Sequence, residues 1–313
     1  MNITLHIGAH RCASTTFQQY LRQNVAALSS GSVGFWGPRR TRISLFAGLF
    51  PGPAAARGSN LRRRAEARVQ MQLRQARAAG LGDLLVSDEN VIGSTRHCLR
   101  RRSLYPAIGE RMARVSAAFN GQIDRVVLVI RDQEQWWASA CAYAVARGHP
   151  LPDAEILAEI AVDRRGWRDV ITDLACAMPD AAIEVVPFER VAARPGALLE
   201  LCAPVTAPDD HNARWLNRAP DLPRLRAALE RRGEDPASLP PGAGRWHPFT
   251  AAQRAALREN HADDLFWLSA GADGLATLTE DPFRDRTGPS RSTEDNPRGQ
   301  GHDSGQGNLA QSG

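Results

Sequence analysis

Lysine is absent from this sequence. All 39 basic residues of the 313 are Arg, set against 34 Asp and Glu for a net charge of +5. Any chemistry that needs a cationic side chain must use Arg or His. A bias toward GC-rich codons accounts for most of the replacement, but it has a chemical consequence, because Arg forks suit phosphate and sulfate groups. Cysteine is scarce and scattered, with five residues at 12, 98, 141, 176 and 202. No pair has metal-ligand spacing, which argues against zinc and a disulfide framework and for a reducing cytoplasm. No metal is expected. No apolar run reaches membrane-spanning length, and no charged leader with a cleavage signature is visible. No internal repeat occurs. The small net charge and the lack of an aromatic-plus-basic motif argue against a nucleic-acid partner. From Glu280 to Gly313 large apolar residues almost vanish. Such a segment cannot bury enough surface to offset its ordering entropy and is expected to be a disordered tail, residues 280–313. Residues 1–279, in a chain that is 43% hydrophobic, are expected to form one domain with a real core.

What is present is an alternation of strand and helix patterns. ITLHI (3–7), LLVS (84–87), RVVLVI (125–130) and AIEVVPF (182–188) read as buried strands. Helical spacing covers 15–28, 61–79, about 104–119, 132–148, a long stretch 153–177, a helix from Pro195, and 250–269. Residues 30–60 are rich in Gly, Pro and Arg and read as a long surface loop, and the part after 205 as helical and loop-like. Strands alternating with helices imply an α/β fold of three layers, α/β/α, around a central mostly parallel sheet, with a helical C-terminal part.

The first strand runs into GAHRCASTT and then straight into a helix. A small-residue turn at a helix N-terminus is an anion site, since free N–H groups and the helix dipole point into it. Ser14, Thr15 and Thr16 add hydroxyls, and Arg11 adds a permanent charge. The turn is not a triphosphate loop, which needs GxxxxGK[ST], and not a GxGxxG dinucleotide fingerprint. Nor is it a cysteine-phosphatase cradle, because Gln18 stands where that cradle needs Arg.

HIGAHRCASTTFQ, from His6 to Gln18, resembles the 5′-phosphosulfate loop of sulfotransferases that use 3′-phosphoadenosine-5′-phosphosulfate (PAPS), whose bacterial members often read HIGxxKTGTTxLQ. Arg11 stands where Lys is usual, Cys12 where Ser or Thr is usual, Ala13 replaces Gly and Ser14 replaces Thr. The family's second mark is an Arg closing a strand with Ser eight residues on. VVLVIRDQEQWWASA supplies Arg131 and Ser139 at that spacing. LLVSDENVIG, VVPFERVAARPGALLELC and ARWLNRAP (213–220) resemble further family segments, so the likeness covers about residues 1–270. The resemblance implies a bacterial PAPS-dependent sulfotransferase with a P-loop-like fold. Its donor site would comprise Arg11, Cys12, Ala13, Ser14, Thr15, Thr16, Arg131 and Ser139. Arg11 would stabilise the leaving group and Glu89 would act as base, with Asp88, His10 and His97 as fallbacks. The competing role for Glu89 is a carboxylate at a helix start. His6 points inward and reads as a core histidine or as one that supports the site from behind. Of Trp136 and Trp137, which cannot share a helix face, one is assigned to the core and the other to the cleft. The residue that stacks on adenine is not identifiable, because Thr16 stands where cytosolic relatives have Trp.

The acceptor is expected to be a hydroxyl or amine, carbohydrate or glycolipid first. The basic helix 61–79 reads as a solvated polar face; the alternative is a lip for an acidic acceptor or an anionic membrane. A nucleoside or sugar kinase and a non-catalytic nucleotide or polyanion binder are the rival functions.

Overall fold

A computed structural model of the chain describes residues 1–50, 58–208 and 215–279. Strands β1 (Asn2–His6), β2 (Val33–Trp36), β3 (Asp83–Ser87), β4 (Arg125–Ile130), β5 (Ala182–Pro187) and β6 (Thr277–Leu278) form one sheet in the order β2-β3-β1-β4-β5-β6. Every pairing is parallel. Strands covered on both faces need continuous apolar runs, and β4 has the clearest one, buried from Val126 to Ile130.

The helices are α1 (Ser14–Gln23), α2 (Val25–Ser30), α3 (Pro38–Arg40), α4 (Gly58–Ala78), α5 (Thr95–Arg101), α6 (Ile108–Ala118), α7 (Gln133–Val145), α8 (Ala154–Val162), α9 (Trp167–Ala177), α10 (Phe188–Val191), α11 (Pro195–Cys202), α12 (Leu222–Glu230) and α13 (Ala251–Ser269). On one side α1 packs with α2 and α11; on the other α6 packs with α4 and α9, and α13 with α7, α8 and α9. The result is the three-layer α/β fold with a central parallel sheet.

After β1 the chain fills the sheet on one side with β2 and β3, then crosses to β4 and β5 on the other. The order therefore reverses between β1 and β4. At such a switch point the connections leave in opposite directions, and a crevice opens beyond the strand ends. The β1–β4 contact continues to the edge of that crevice, where the Ile7 and Ala9 amides donate to the Val127 and Val129 carbonyls at 3.0 and 2.9 Å.

Several expectations are corrected. The stretch 30–60 is not a plain loop, for it holds the end of α2, strand β2, α3 and a π-helical turn, Thr41–Leu45; residues 51–57 lie outside the described residues. A glycine at its second position hides β2 from a propensity reading. Gly34 is set by packing, because a Cβ there would lie 2.6 Å from Leu81 Cδ1. The helix 15–28 breaks at Asn24, and the one around 104–119 starts only at Ile108, after a separate α5. The long helix 153–177 is two helices, α8 and α9. The break is imposed from far along the chain. Buried Asp264 on α13 accepts from the Trp167 and Arg168 amides at 2.6 and 3.1 Å and so caps α9. A Cβ on Gly166 would lie 2.5 Å from that carboxylate. After 205, the two-residue β6 adds to the sheet beside β5. The expected tail, 280–313, lies outside the described residues. Among the described residues no helix is long and apolar enough to cross a membrane.

Candidate functional site

The turn after β1 is folded tightly enough to dictate its residues. Gly8 is required for space: a Cβ would lie 2.9 Å from both His6 Nε2 and Ser14 Oγ. Arg11 (φ 68°) and Ala13 (φ 58°) adopt left-handed backbone, at a cost of roughly 1–2 kcal/mol for each residue with a Cβ. Ala13 thus takes the conformation in which Gly would be free of strain. It precedes α1, whose N-terminus has no side-chain cap. The first-turn amides of α1 are therefore left for an anion.

Above this turn lies a cleft of about 690 Å³, a size that suits a nucleotide-like ligand. It brings together Arg11, Ala13, Ser14, Thr15, Glu89, Arg131 and Ser139 from three separate stretches of chain. Cys12 and Thr16 do not line it. Cys12 is buried in the core, and burial pushes its thiol well above the usual range. The Thr16 hydroxyl is turned aside to accept from the Leu216 amide at 3.0 Å. Neither Trp136 nor Trp137 lines the cleft; both are in the core, which corrects the assignment of one to the cleft wall. Trp136 still serves the site, since its Nε1 donates to the His10 carbonyl at 2.7 Å and anchors the turn.

The two key arginines form one network. Arg11 Nε donates to Ser139 Oγ at 3.0 Å, and an Arg131 nitrogen donates to the Arg11 carbonyl at 3.0 Å. Among the described residues neither makes an ion pair. Arg131 also keeps a buried Nε without a partner among them. Burial is the chief cause that pulls Arg11 down to about 10, with Tyr143 opposing and Arg131 and Arg147 assisting. Burial likewise lowers Arg131, with Arg245 adding to the effect. A buried Arg131 and a half-buried Arg11, neither with an ion-pair partner among the described residues, are costly unless an anion completes them.

Opposite them, Glu89 accepts from Gln18 Nε2 at 2.9 Å and from Arg42 at 2.8 Å. Burial works against its charge, but Arg42 and Gln18 outweigh burial and hold the carboxyl below its ordinary range. The fallback bases are otherwise engaged. Asp88 is buried under Thr41 and Arg42 and caps the turn Glu89–Ile92. His10 lines the cleft, yet both ring nitrogens are used, by Tyr105 at 3.0 Å and Asn90 at 2.9 Å. His97 lies on α5, away from the cleft lining.

His6 is a core histidine, fully buried, with Nδ1 2.9 Å from Ser87 Oγ. Burial pulls it down to about 4 against the opposing charge of Glu89. In the unfolded chain it protonates near its ordinary value of about 6.5. Between those values the unfolded chain binds more protons, so stability is complete above about 6.5 and falls as the pH drops toward 4, by about 3 kcal/mol. Urea titrations at pH 7 and near pH 4.5 are expected to show this loss, and His6→Gln to remove most of it. An unchanged acid loss in that variant places the lability in other groups.

Sequence reasoning missed part of the lining. Phe188, Trp215, Tyr143, Arg245 and His247 all face the cleft. Phe188 follows β5 directly, a strand-end position that could have flagged it. Its ring meets Trp215 edge-on at 6.1 Å, and the Arg131 guanidinium lies 4.7 Å from its centroid. Trp215 and Asn217 belong to a strap laid across the turn. Asn217 donates to Thr15 Oγ1 at 3.2 Å, and its carbonyl accepts from Arg11 at 2.7 Å.

No family model, curated protein or solved structure matches this chain. The site's chemistry therefore rests on its own geometry. Among the described residues no cluster of three or more His, Cys, Asp or Glu has the arrangement of a metal site.

Proposed function

We propose that this chain is a sulfotransferase that moves the sulfuryl group of PAPS to a hydroxyl or amine acceptor, a carbohydrate or glycolipid being the expected class, and that it works in the cytoplasm. The observation that carries the reading is the Arg131–Arg11–Ser139 network. It joins the turn after β1 to the end of β4, so one anion site sits beside a second in a single cleft. A nucleotide phosphorylated at both 5′ and 3′ positions matches that pair of sites. The residues fit it, because both forks lack counter-charges and the first turn of α1 is uncapped.

Bound there, PAPS supplies the sulfuryl group and a phosphate leaving group. Arg131 and Ser139 would hold the 3′-phosphate. The α1 amides, Ser14 and Thr15 would hold the 5′ end. Thr15 already accepts a hydrogen bond from Asn217, which leaves its own proton to donate. Phe188 and Trp215 offer aromatic surface for the base. Arg11 would stabilise charge as it develops on the leaving side, and Glu89 would take the proton from the acceptor.

Calorimetric titration with adenosine 3′,5′-bisphosphate tests the binding, and transfer of labelled sulfate from PAPS tests the reaction. Micromolar binding of the bisphosphate without affinity for ATP is expected. Preference for ATP with Mg²⁺ makes the chain a kinase, and bisphosphate binding with no transfer to any acceptor makes it a binder only.

A further inference from the structure

Apart from Arg42, which holds Glu89, the basic surface formed next to β2 takes no part in donor binding or proton transfer. It is built from two segments, Pro38–Leu45 and α4, in which nine of 29 residues are Arg against 39 of 313 in the whole chain, with a single acidic residue, Glu66. The enrichment exceeds what general codon bias provides. The segments form one surface: Arg40 bonds to Gln72, Arg68 bonds to the Ser44 and Ala47 carbonyls, and Leu61 packs against Gly48. Arg39, Arg63 and Arg64 are exposed and make no ion pair among the described residues. Among them stand bare aliphatic side chains: Ile43 is 78% exposed and Leu61 43%.

The topology fixes where this surface lies. The segment 38–45 leaves the C-terminal end of β2. α4 leads into the start of β3, so its N-terminal end, about 30 Å back along its axis, lies toward the edge where the strands end. The cleft opens at that same end of the sheet, and Glu89 on its lining is the link between cleft and surface. Arg42, next to Ile43, also reaches inward to Asp88 and Glu89.

We infer that this surface docks on an anionic lipid bilayer. Exposed Arg around protruding aliphatics matches a bilayer's two layers at once, with headgroup charge for the guanidiniums and acyl chains for Ile43 and Leu61. A nucleic acid offers the charge but nothing for the aliphatics, and this surface exposes no aromatic ring for stacking on bases. Docking sets the cleft edge at headgroup level, where a membrane-borne acceptor meets it.

Flotation of the full chain with vesicles of phosphatidylcholine, with and without phosphatidylglycerol, tests this. Partition onto the anionic vesicles only is expected. Arg63→Gln and Arg64→Gln should each weaken it about fivefold, and Ile43→Ser roughly tenfold. Unchanged binding of adenosine 3′,5′-bisphosphate by these variants shows that they are folded and separates this surface from the donor site. No partition onto anionic vesicles overturns the inference. So does partition that Ile43→Ser leaves intact while single-stranded DNA or heparin competes fully, for the surface is then a plain polyanion binder.

Discussion

Arg131→Ala is expected to weaken binding of adenosine 3′,5′-bisphosphate by about a hundredfold, while binding of adenosine 5′-monophosphate changes little. A charge-assisted hydrogen bond contributes roughly 1.5–3 kcal/mol, and a two-pronged contact to one phosphate brings the loss to about 3 kcal/mol, or two decades in affinity. The comparison between ligands matters because Arg131 has two possible roles. It would contact a 3′-phosphate directly, and it also holds the Arg11 carbonyl at 3.0 Å. If the second role dominates, the substitution loosens the turn around the 5′ end, and both ligands lose affinity alike. Equal losses, read by calorimetry on the same preparations, remove Arg131 from the 3′ site. Ser139→Ala sharpens the test. It removes a hydroxyl that receives Arg11 Nε, so a several-fold loss confined to the bisphosphate places both residues on the same phosphate.

The parts of this fold legible in the sequence are those whose signal is local. The apolar runs of β1, β3, β4 and β5 announce strands without help from the rest of the chain. β2 does not, because Gly34 interrupts its four residues and is explained only by the Leu81 side chain that packs on it from far along the chain. The split between α8 and α9 is equally silent, since the group that caps α9 is Asp264, on another helix. The site divides along the same line. Glu89 and Arg131 come within two residues of a strand end, and Arg11, Ser14 and Thr15 lie in the turn and helix start that follow β1; parallel strands deliver their C-terminal ends to one edge, so strand-end chemistry converges. Trp215, Arg245 and His247 sit in irregular segments whose position is set by tertiary contacts alone, and no spacing rule reaches them. Cys12 and Thr16 are the converse. They occupy motif positions, yet the local turn aims one into the core and the other at the strap.

Glu89→Gln is expected to lower kcat about 10²–10³-fold with donor affinity retained, the lower part of the usual range for loss of a general base. The substitution keeps the size of the side chain and an oxygen for Gln18, but it removes the charge that meets Arg42. Structure alone would then cost stability and leave turnover per folded molecule intact, so kcat must be scaled to the folded fraction from a melting curve. Unchanged turnover returns Glu89 to the role of a helix-start carboxylate. The pH profile separates the two roles further. Arg42 and Gln18 together hold the Glu89 carboxyl below its ordinary range, against the effect of burial. Arg42→Ala removes the leading favourable charge and leaves burial less opposed, so the carboxyl protonates at higher pH. If Glu89 is the base, the acid limb of kcat moves upward in that variant, because the working form is the deprotonated one. Turnover well above the limb is then preserved or raised, since a carboxylate of higher pKa is the stronger base. If the base is another group, Arg42→Ala leaves the acid limb in place. The same ion pair would thus keep Glu89 charged inside a half-closed cleft and weaken it as a base, and the position of that limb measures the balance.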